Sequence, residues 1–413
     1  MNELADVVTE VFHREWARLV ATLIGSAGDW DLAQECAQEA FTQAWRTWHR
    51  DGVPDRPGAW LLTTARRRML DRLRRDRVGE TKLAEIAALG DALSDPASDE
   101  STDDVPDDRL RLIYTCCHPA LAFEAQVALA LRTLAGLTTS EIARAFGVAE
   151  QTMGKRLVRA QSKIRDASIP YRVPPAHLLP ERTAAVLGVV YLMFNEGYVA
   201  TSGPELHRPT LAAEALRLAA LVVELMPDDP EARGLHALLL FHQARAGART
   251  DPAGALVPLD EQDRSRWDHT LIDQGLDQLQ HARRRGQLGP FQLQAMIAAC
   301  HVIAARPEDT DTAQVLALYD ALLARAPSLT VELNRAVAVA RHSGPEAGLA
   351  ALDDLERRGD ASARSHLLPA VRADLLRRAG HLADAARAYR TAVEQATNDI
   401  ERAYLQRRMA SLD

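Results

Sequence analysis

Hydrophobic positions along this chain recur every three or four residues, as on one face of an α-helix, and no long alternation of Val, Ile and Thr appears. Aromatic residues make up 5% of the 413 residues, and alanine-rich amphipathic segments dominate. The pattern therefore predicts an all-α fold. The length predicts roughly three domains.

Positions 137 to 164 predict two helices joined by a tight turn. Thr138 and Glu141, three residues apart, form a capping box that starts the first helix. Ile142 and Phe146 give this helix an apolar side, and Gly147 supplies the turn. The apolar face of the second helix consists of Met153, Leu157, Ala160 and Ile164. This arrangement is a helix-turn-helix.

The opposite face of the second helix is polar and cationic. It carries Gln151, Thr152, Lys155, Arg156 and Arg159. Such side chains bind base edges and phosphates when a recognition helix enters the major groove of DNA. A helical hairpin with a solvated basic face is the alternative, and a second DNA-facing feature elsewhere would favour nucleic-acid binding.

A second cationic feature lies upstream. Positions 66 to 77 hold seven arginines against two aspartates, an excess of five positive charges in a chain of net charge −8. An apolar stripe of Leu62, Ala65, Met69 and Leu73 leaves Arg67, Arg68, Asp71, Arg74 and Arg75 facing outward. Arginine contacts phosphate and guanine in bidentate geometry, so this face suits nucleic acid. A solvated charged face or an acidic protein partner is the alternative.

The helix predicted from 29 to 48 is amphipathic and acidic. One side carries Leu32, Cys36, Ala40, Ala44 and Trp48, and the other carries Asp31, Glu35, Gln38 and Thr42. An acidic face repels DNA. It is therefore either solvated surface or a docking face for a basic protein element.

In this order, the acidic helix, the arginine-rich helix and the helix-turn-helix resemble an extracytoplasmic-function (ECF) sigma factor of bacterial RNA polymerase over residues 1 to about 168. The resemblance implies polymerase docking by Asp31, Glu35, Gln38 and Phe41. It implies that Arg66, Asp71 and Arg74 bind the −10 promoter element. Arg67, Arg68 and Arg75 face outward on the same helix and are predicted to bind this element too. The helix-turn-helix resembles the reader of the −35 element. Where the family usually has Asn, this chain has Arg67, which leaves the choice of −10 bases open.

The predicted domains are 1–78 for docking and −10 recognition, 79–106 as an acidic flexible linker, 107–168 for −35 recognition and 176–413 as a helical array. From Asp91 to Asp108 there are eight acidic residues and no Lys or Arg. Such a run resists folding by its own repulsion and reaches about 60 Å when extended. It either lies where nucleic acid later passes or masks the arginine row, or it is a plain tether.

After the proline-rich joint at 169–175, helical segments alternate with short Gly and Pro breaks. The clearest repeat has Gly380 at a turn and Ala385, Tyr389 and Ala392 on one face, at a spacing similar to the tetratricopeptide repeat. The array is predicted to stack as a solenoid. The whole chain resembles the ECF branch with a tetratricopeptide-like C-terminal extension, which implies that the array regulates activity.

Polar clusters interrupt the array at Phe194–Tyr198, Glu261–Asp268 and Leu333–Ala336. The carboxylates of the second cluster suggest a cation site, but the interleaved Arg264 and Arg266 are expected to pair with them. No P-loop, HExxH motif, dinucleotide-binding loop or nucleophile elbow is present. The sequence therefore predicts no metal, no cofactor and no enzymatic activity.

The four cysteines include no CxxC pair, and the apolar surroundings of Cys116 and Cys117 predict buried structural thiols. The longest apolar run, positions 184 to 194, is about half a bilayer span, and the first residues do not resemble a secretory signal. These features predict a cytoplasmic protein without a membrane partner.

Two functions follow. The first is a sigma factor whose partners are core RNA polymerase, through its β′ clamp and β subunit, and promoter DNA in double- and single-stranded form. A regulatory protein or ligand would act on its repeat array. The second is a stand-alone helix-turn-helix regulator whose repeat domain senses a ligand or partner. Specific promoter binding that needs core polymerase distinguishes the first from the second.

Overall fold

The computed structural model describes residues 2–75, 108–146, 148–198, 209–286, 288–358, 366–396 and 398–412. Over these residues the secondary structure is helical apart from isolated β-bridge residues, of which Thr250 and Leu256 form a pair. This confirms the all-α prediction. The chain divides into two compact units, Met1–Val189 and Val190–Asp413.

The first unit is a bundle organised around one long helix. Its helices are α1 (Asn2–Ala27), α2 (Trp30–Asp51), α3 (Pro57–Arg75), α4 (Asp108–Cys116), α5 (Phe123–Thr133), α6 (Thr139–Phe146), α7 (Glu150–Asp166) and the first part of α8 (Leu179–Tyr198). Helix α1 packs against α2, α3, α4 and α5. Its Trp16, Val20 and Leu23 are buried, so a shared core joins α1–α3 to α4–α7.

The structure places α1–α7 in one compact unit, and the predicted division into 1–78, 79–106 and 107–168 stays a prediction. The predicted linker 79–106 and the acidic run that ends at Asp108 lie outside the described residues, except for Asp108 itself, which begins α4. The packing of α1 against both helix groups explains the single unit, because its apolar residues point to both sides of the helix.

The predicted joint at 169–175 has no helix, and Tyr171 anchors it. Its phenolic hydroxyl donates to the carbonyl of Ala21 in α1 at 2.8 Å, and its ring meets Trp30 edge to face. Farther on, the Thr183 hydroxyl is 2.8 Å from the Tyr114 hydroxyl, and the Arg182 guanidinium donates to the Tyr114 carbonyl. The first turns of α8 are therefore part of the first unit.

The second unit is a succession of helices that share cores with their neighbours. After the end of α8 come α9 (Pro209–Leu225), α10 (Pro230–Ala244), α11 (His269–Arg283), α12 (Pro290–Val302), α13 (Thr312–Arg325), α14 (Leu329–Ser343), α15 (Pro345–Arg357), α16 (Leu367–Arg378), α17 (Leu382–Gln395) and α18 (Asp399–Ala410). One core is formed by α10–α12, the next by α12–α14, the next by α14–α16 and the last by α16–α18.

This sharing of cores is what a stacked array requires, because each hairpin buries its apolar face only against the next. The predicted repeat positions Ala385, Tyr389 and Ala392 are all buried. Gly380 has a φ of 86°, which a residue with a side chain rarely adopts, and it closes the turn between α16 and α17. The structure therefore confirms the predicted α-solenoid.

Among the residues that the structure describes, none of the helices combines the length and the apolar character needed to cross a membrane.

Candidate nucleic-acid and partner interface

The capping box that begins the helix-turn-helix forms as predicted. The Glu141 backbone N–H donates to the Thr138 hydroxyl at 3.2 Å, and the Thr138 backbone N–H donates to the Glu141 carboxylate at 2.8 Å. These two bonds satisfy backbone donors at the start of α6 that the helix itself leaves unpaired. The predicted turn residue Gly147 lies outside the described residues.

Helix α7 turns its apolar face inward. The predicted core residues Met153, Leu157, Ala160 and Ile164 are all buried, and Gln161 is buried with them. On α6, Ile142 is fully buried while Phe146 is half-buried at the edge. The position of α7 is therefore fixed by its packing against α5 and α6, which leaves its other face to make outside contacts.

The predicted recognition residues divide into two groups. Gln151, Thr152, Lys155 and Arg159 are exposed. Arg156 is half-buried, and its guanidinium lies over the Phe146 ring at 5.7 Å from the centroid. That cation–π contact holds the Arg156 side chain against α6. The exposed side chains near the start of α7 present an amide, a hydroxyl and an ammonium, which suit the edges of bases and the phosphates beside them.

On α3, the apolar stripe is buried at Ala65, Met69 and Leu73. The predicted outward residues Arg67, Arg68, Asp71 and Arg74 are exposed, while the side chain of Arg75 lies outside the described residues. The exposed face therefore retains three arginines. Arg68 comes within 3.9 Å of the Glu39 carboxylate on α2, a long surface pair that contributes little to stability.

Arg66, predicted to contact the promoter, is instead buried, with 8% of its surface exposed. It follows Ala65 and lies one turn before Met69, so it borders the apolar stripe and its aliphatic stem enters the core. Burial lowers the pKa of its guanidinium, and the nearby Asp108 carboxylate opposes that shift. In this arrangement Arg66 is a core residue beside the start of α4.

Arg72, which the sequence analysis did not single out, ties α3 to α2. Its guanidinium donates to the carboxylates of both Glu35 and Glu39. Glu35 and Glu39 are one helical turn apart on α2, as are Arg68 and Arg72 on α3. Such matched spacing of opposite charges on consecutive helices is the sequence signal that could have revealed this contact.

The predicted polymerase-docking residues also differ in exposure. Asp31 and Glu35 are exposed and Gln38 is half-buried. Phe41 is buried, with its ring centroid 4.9 Å from that of Phe12 and 6.1 Å from that of Trp16. The Phe41 ring belongs to the aromatic core between α1 and α2, and its role in docking stays a prediction.

Helix α2 contacts the helix-turn-helix part of the unit through its acidic end. The side-chain amide of Gln161 on α7 donates to the Asp31 carboxylate at 3.1 Å. The Arg132 guanidinium, near the end of α5, donates to the side-chain oxygen of Gln34 at 2.9 Å. Burial lowers the pKa of Arg132, while the charges of Asp31 and Glu35 oppose the shift. The predicted docking face is thus partly covered by α5 and α7.

The cysteine prediction is confirmed. Cys116 and Cys117 are buried, and burial raises the pKa of the Cys116 thiol to about 12 while its contact with Thr133 opposes the shift. The Cys116 sulfur lies 3.2 Å from the Thr133 hydroxyl. Thiols with such a high pKa are not ionised near neutral pH, so they serve as core residues.

The acidic cluster at 261–268 caps helices. The Asp263 carboxylate accepts from the backbone N–H of Ser265, and the Asp268 carboxylate accepts from that of Leu271 at the start of α11. The prediction that Arg264 and Arg266 pair with these carboxylates is wrong. Arg264 donates to the carbonyls of His301 and Ala304, and Arg266 donates to that of Gly247. Within the described parts of the chain, no group of three or more His, Cys, Asp or Glu side chains could hold a metal ion.

A helix-turn-helix with an exposed polar face and a separate arginine-rich helix in the same unit define a helical DNA-binding protein. Family models agree with this class: residues 9–78 match Sigma-70 region 2, residues 111–164 match Sigma-70, region 4, and residues 182–283 match a family of unknown function (DUF6596).

Among curated proteins, the chain is 42% identical over 385 residues to an uncharacterized protein of Rhizobium meliloti (strain 1021). The aligned segment covers 92% of this chain and 90% of the relative. The chain is 30% identical over 150 residues to the ECF RNA polymerase sigma factor SigK of Mycobacterium ulcerans (strain Agy99), covering 36% of this chain and 73% of that protein. No solved structure matches. The chain belongs to the sigma-70 family of sigma factors.

Proposed function

We propose that this chain binds core RNA polymerase and directs initiation of transcription at specific promoters. The observation that carries the proposal is the exposed face of α7, built on a capped helix-turn-helix within the segment that matches Sigma-70, region 4. Gln151 and Thr152 would contact base edges of a −35 element. Lys155 and Arg159 would contact phosphates, which position the helix without reading sequence.

The exposed face of α3 would bind the −10 element. Arg67, Arg68 and Arg74 present guanidinium groups to solvent in the segment that matches Sigma-70 region 2. Guanidinium groups bind phosphates in a duplex and stack on bases once strands separate, so one face serves both recognition and melting. Asp71 lies on the same face, and Arg75 follows it on the helix. Arg66 would join them only if the surroundings of α3 rearranged.

The acidic face of α2 would dock on the β′ clamp of polymerase, with Asp31 and Glu35 as its charges and Gln38 beside them. The bond from Gln161 to Asp31 and the bond from Arg132 to Gln34 occupy this end of α2 in the compact unit. Docking at the same end of α2 therefore competes with these bonds. We infer that α5 and α7 separate from α2 when polymerase binds.

The helical array would regulate this activity, as in the ECF branch with a tetratricopeptide-like extension. The similarity to the Rhizobium meliloti protein extends over 92% of the chain, so the sigma regions and the array occur together in that protein as well. Regulation by a domain of the same chain needs no separate inhibitory protein. A protein or small ligand bound to the array would then be the signal.

The test is run-off transcription from a promoter library with core polymerase and the full-length chain. A sigma factor gives promoter-specific transcripts with polymerase and weak DNA binding alone. Tight, sequence-specific DNA binding by the isolated chain, with no effect on polymerase, would favour a stand-alone regulator instead. Comparison with a chain ended after Gly188 tests the array, because that cut retains the contacts of Arg182 and Thr183 with Tyr114.

A further inference from the structure

Arginine side chains gather in the second unit where the ends of α10 and α12 meet the 259–267 loop. Arg245 follows the last residue of α10, and Arg264 lies in the short 3-10 helix Arg264–Arg266. Arg341 comes from α14. The Asp268 backbone N–H donates to the carbonyl of Ala244 beside Arg245, Arg264 donates to the carbonyl of His301 in the last turn of α12, and Arg341 pairs with Asp260 of the same loop. The charges of all three arginines act on His301.

Negative charge in this neighbourhood is scarce. Asp260 forms an ion pair with Arg341 and also acts on Arg264 and His301. Glu308 acts on Arg264 but lies 3.5 Å from Arg306, and Glu401 acts on the neighbouring Arg249 but lies 3.4 Å from His366. Among the described residues Asp260 pairs with Arg341, and Glu308 is shared between Arg264 and Arg306, so the three arginines keep an excess of positive charge over these two carboxylates.

Arg245 lies among positive charges and has few hydrogen-bond partners among the residues that the structure describes. Its positive charge opposes protonation of His301, Arg249 and Arg264. In the described part of the chain its side chain makes one hydrogen bond, a long one of 3.4 Å to the Tyr198 hydroxyl, and its Nε is buried without a partner. A half-buried guanidinium among like charges is costly unless an anion compensates it.

Helix capping explains only part of the cluster. Arg264 uses Nη1 to bind the carbonyls of His301 and Ala304 at the end of α12, and its guanidinium lies 4.7 Å from the Trp267 ring centroid. Its Nε, the Trp267 Nε1 and the His301 Nδ1 are nevertheless buried without hydrogen-bond partners. Burial, with Arg341 and Arg245, lowers the pKa of His301 to about 4, so the imidazole adds no charge near neutral pH.

We propose that Arg245, Arg264 and Arg341 form a binding site for the phosphate or carboxylate group of a small molecule. Guanidinium groups bind such oxyanions in bidentate geometry, and an anion would also compensate the excess positive charge of the cluster. The site is reachable, because the Asp260 side chain at its edge is 49% exposed and that of Arg341 is 22% exposed. That this ligand is the regulatory signal rests on the proposed function; the binding itself does not.

The experiment titrates the full-length chain with inorganic phosphate and, separately, with succinate, at constant ionic strength in chloride, by calorimetry and thermal unfolding. Arg245→Gln should weaken binding about tenfold, the loss expected for a hydrogen bond to a charged group. Arg390→Gln, an exposed arginine of α17, is the matched control and should bind like the wild type. Equal binding by Arg245→Gln and wild type would overturn the site.

A second variant, Asp260→Asn, distinguishes loss of the binding site from loss of the fold. Asp260 competes with the ligand for Arg341, so its neutralisation should tighten binding about threefold. A gain in affinity cannot arise from unfolding. Unchanged or weaker anion binding by folded Asp260→Asn would contradict the proposal, as would failure of the wild-type chain to bind either anion. Because no polymerase is present, these results stand apart from the outcome of the transcription test.

Discussion

Gln161 donates a hydrogen bond to Asp31 across 130 residues of sequence, at 3.1 Å. The two residues lie in the segments that match Sigma-70 region 4 and region 2, so one bond joins the half proposed to read the promoter to the half proposed to dock on polymerase. The compact unit therefore holds a proposed docking charge in an internal contact. Under the proposed function, polymerase binding and separation of the two halves would be coupled equilibria.

This coupling predicts that breaking the bond favours docking. Gln161→Ala should strengthen binding to core polymerase roughly fivefold, since one net hydrogen bond contributes about 1 kcal/mol to the closed arrangement. Binding is measured by fluorescence anisotropy of labelled chain against core enzyme. Lys163→Ala, at an exposed position of the same helix, is the control. Unaltered affinity in a folded Gln161→Ala variant would show that the closed arrangement does not oppose docking.

The docking face can be tested by neutralising its charges without reversing them. Asp31→Asn with Glu35→Gln should weaken core polymerase binding at low salt by tenfold or more, because it removes two exposed carboxylates proposed to dock. Glu35→Gln also removes the charge that pairs with Arg72, so the fold of the variant is checked by its circular dichroism. The amide of Asn can still accept from Gln161. Asp51→Asn, near the other end of α2, should have no effect. Normal binding by the double variant would remove the docking role of α2.

The arginine row predicts a change in salt dependence. Arg74→Ala with Arg75→Ala should weaken promoter binding and opening, and should lower the slope of log K against log salt by about one for each lost phosphate contact. Polymerase affinity should not change. Arg172→Ala, exposed in the joint after α7, serves as the control. Wild-type transcription by the double variant on a linear promoter at moderate salt would contradict the −10 assignment.

The contacts that the start of α8 makes with the first unit predict how a shorter chain will differ in stability. A chain that ends at Pro170 loses the bond from Tyr171 to Ala21 as well as the contacts of Arg182 and Thr183 with Tyr114. Its first unit should be about 3 kcal/mol less stable than that of a chain ending at Gly188, at about 1 kcal/mol per hydrogen bond. Denaturant unfolding of the two chains measures the difference. Equal stability would mean that these bonds add nothing to the unit.

The sequence predicted the elements that depend on local signals. The capping box at Thr138, the buried face of α7 and the turn at Gly380 follow from spacing and residue type, and each is found in the structure. Exposure at the border of an apolar face was harder to predict. Arg66 and Phe41 border or join such faces, and neighbouring helices decided that both are buried.

Contacts between distant segments could not be predicted from one sequence. The pairing of Arg72 with Glu35 and that of Gln161 with Asp31 depend on how α2, α3 and α7 pack. The partners of Arg264 are likewise backbone carbonyls of α12, which carry no side-chain signature. Helix periodicity gives the face on which a residue lies, but the neighbour of that face is set by tertiary packing.

The recognition helix carries the most specific prediction. Gln151→Ala should alter preference among upstream promoter sequences, at about 1 to 3 kcal/mol per lost base contact, because its exposed amide lies near the start of α7. Lys155→Ala should weaken binding evenly across sequences, as expected for a phosphate contact. Arg156→Ala is less informative, because it also removes the stacking on Phe146.

A promoter library transcribed with each variant and core polymerase separates these outcomes, and Arg165→Ala, exposed near the end of α7, is the matched control. A change of sequence preference confined to Gln151→Ala, with a uniform loss in Lys155→Ala, fits a helix whose first turn enters the groove while its next turn lies along the backbone. If both variants kept the wild-type preference and strength, α7 would not read DNA, and the −35 role would have to be withdrawn.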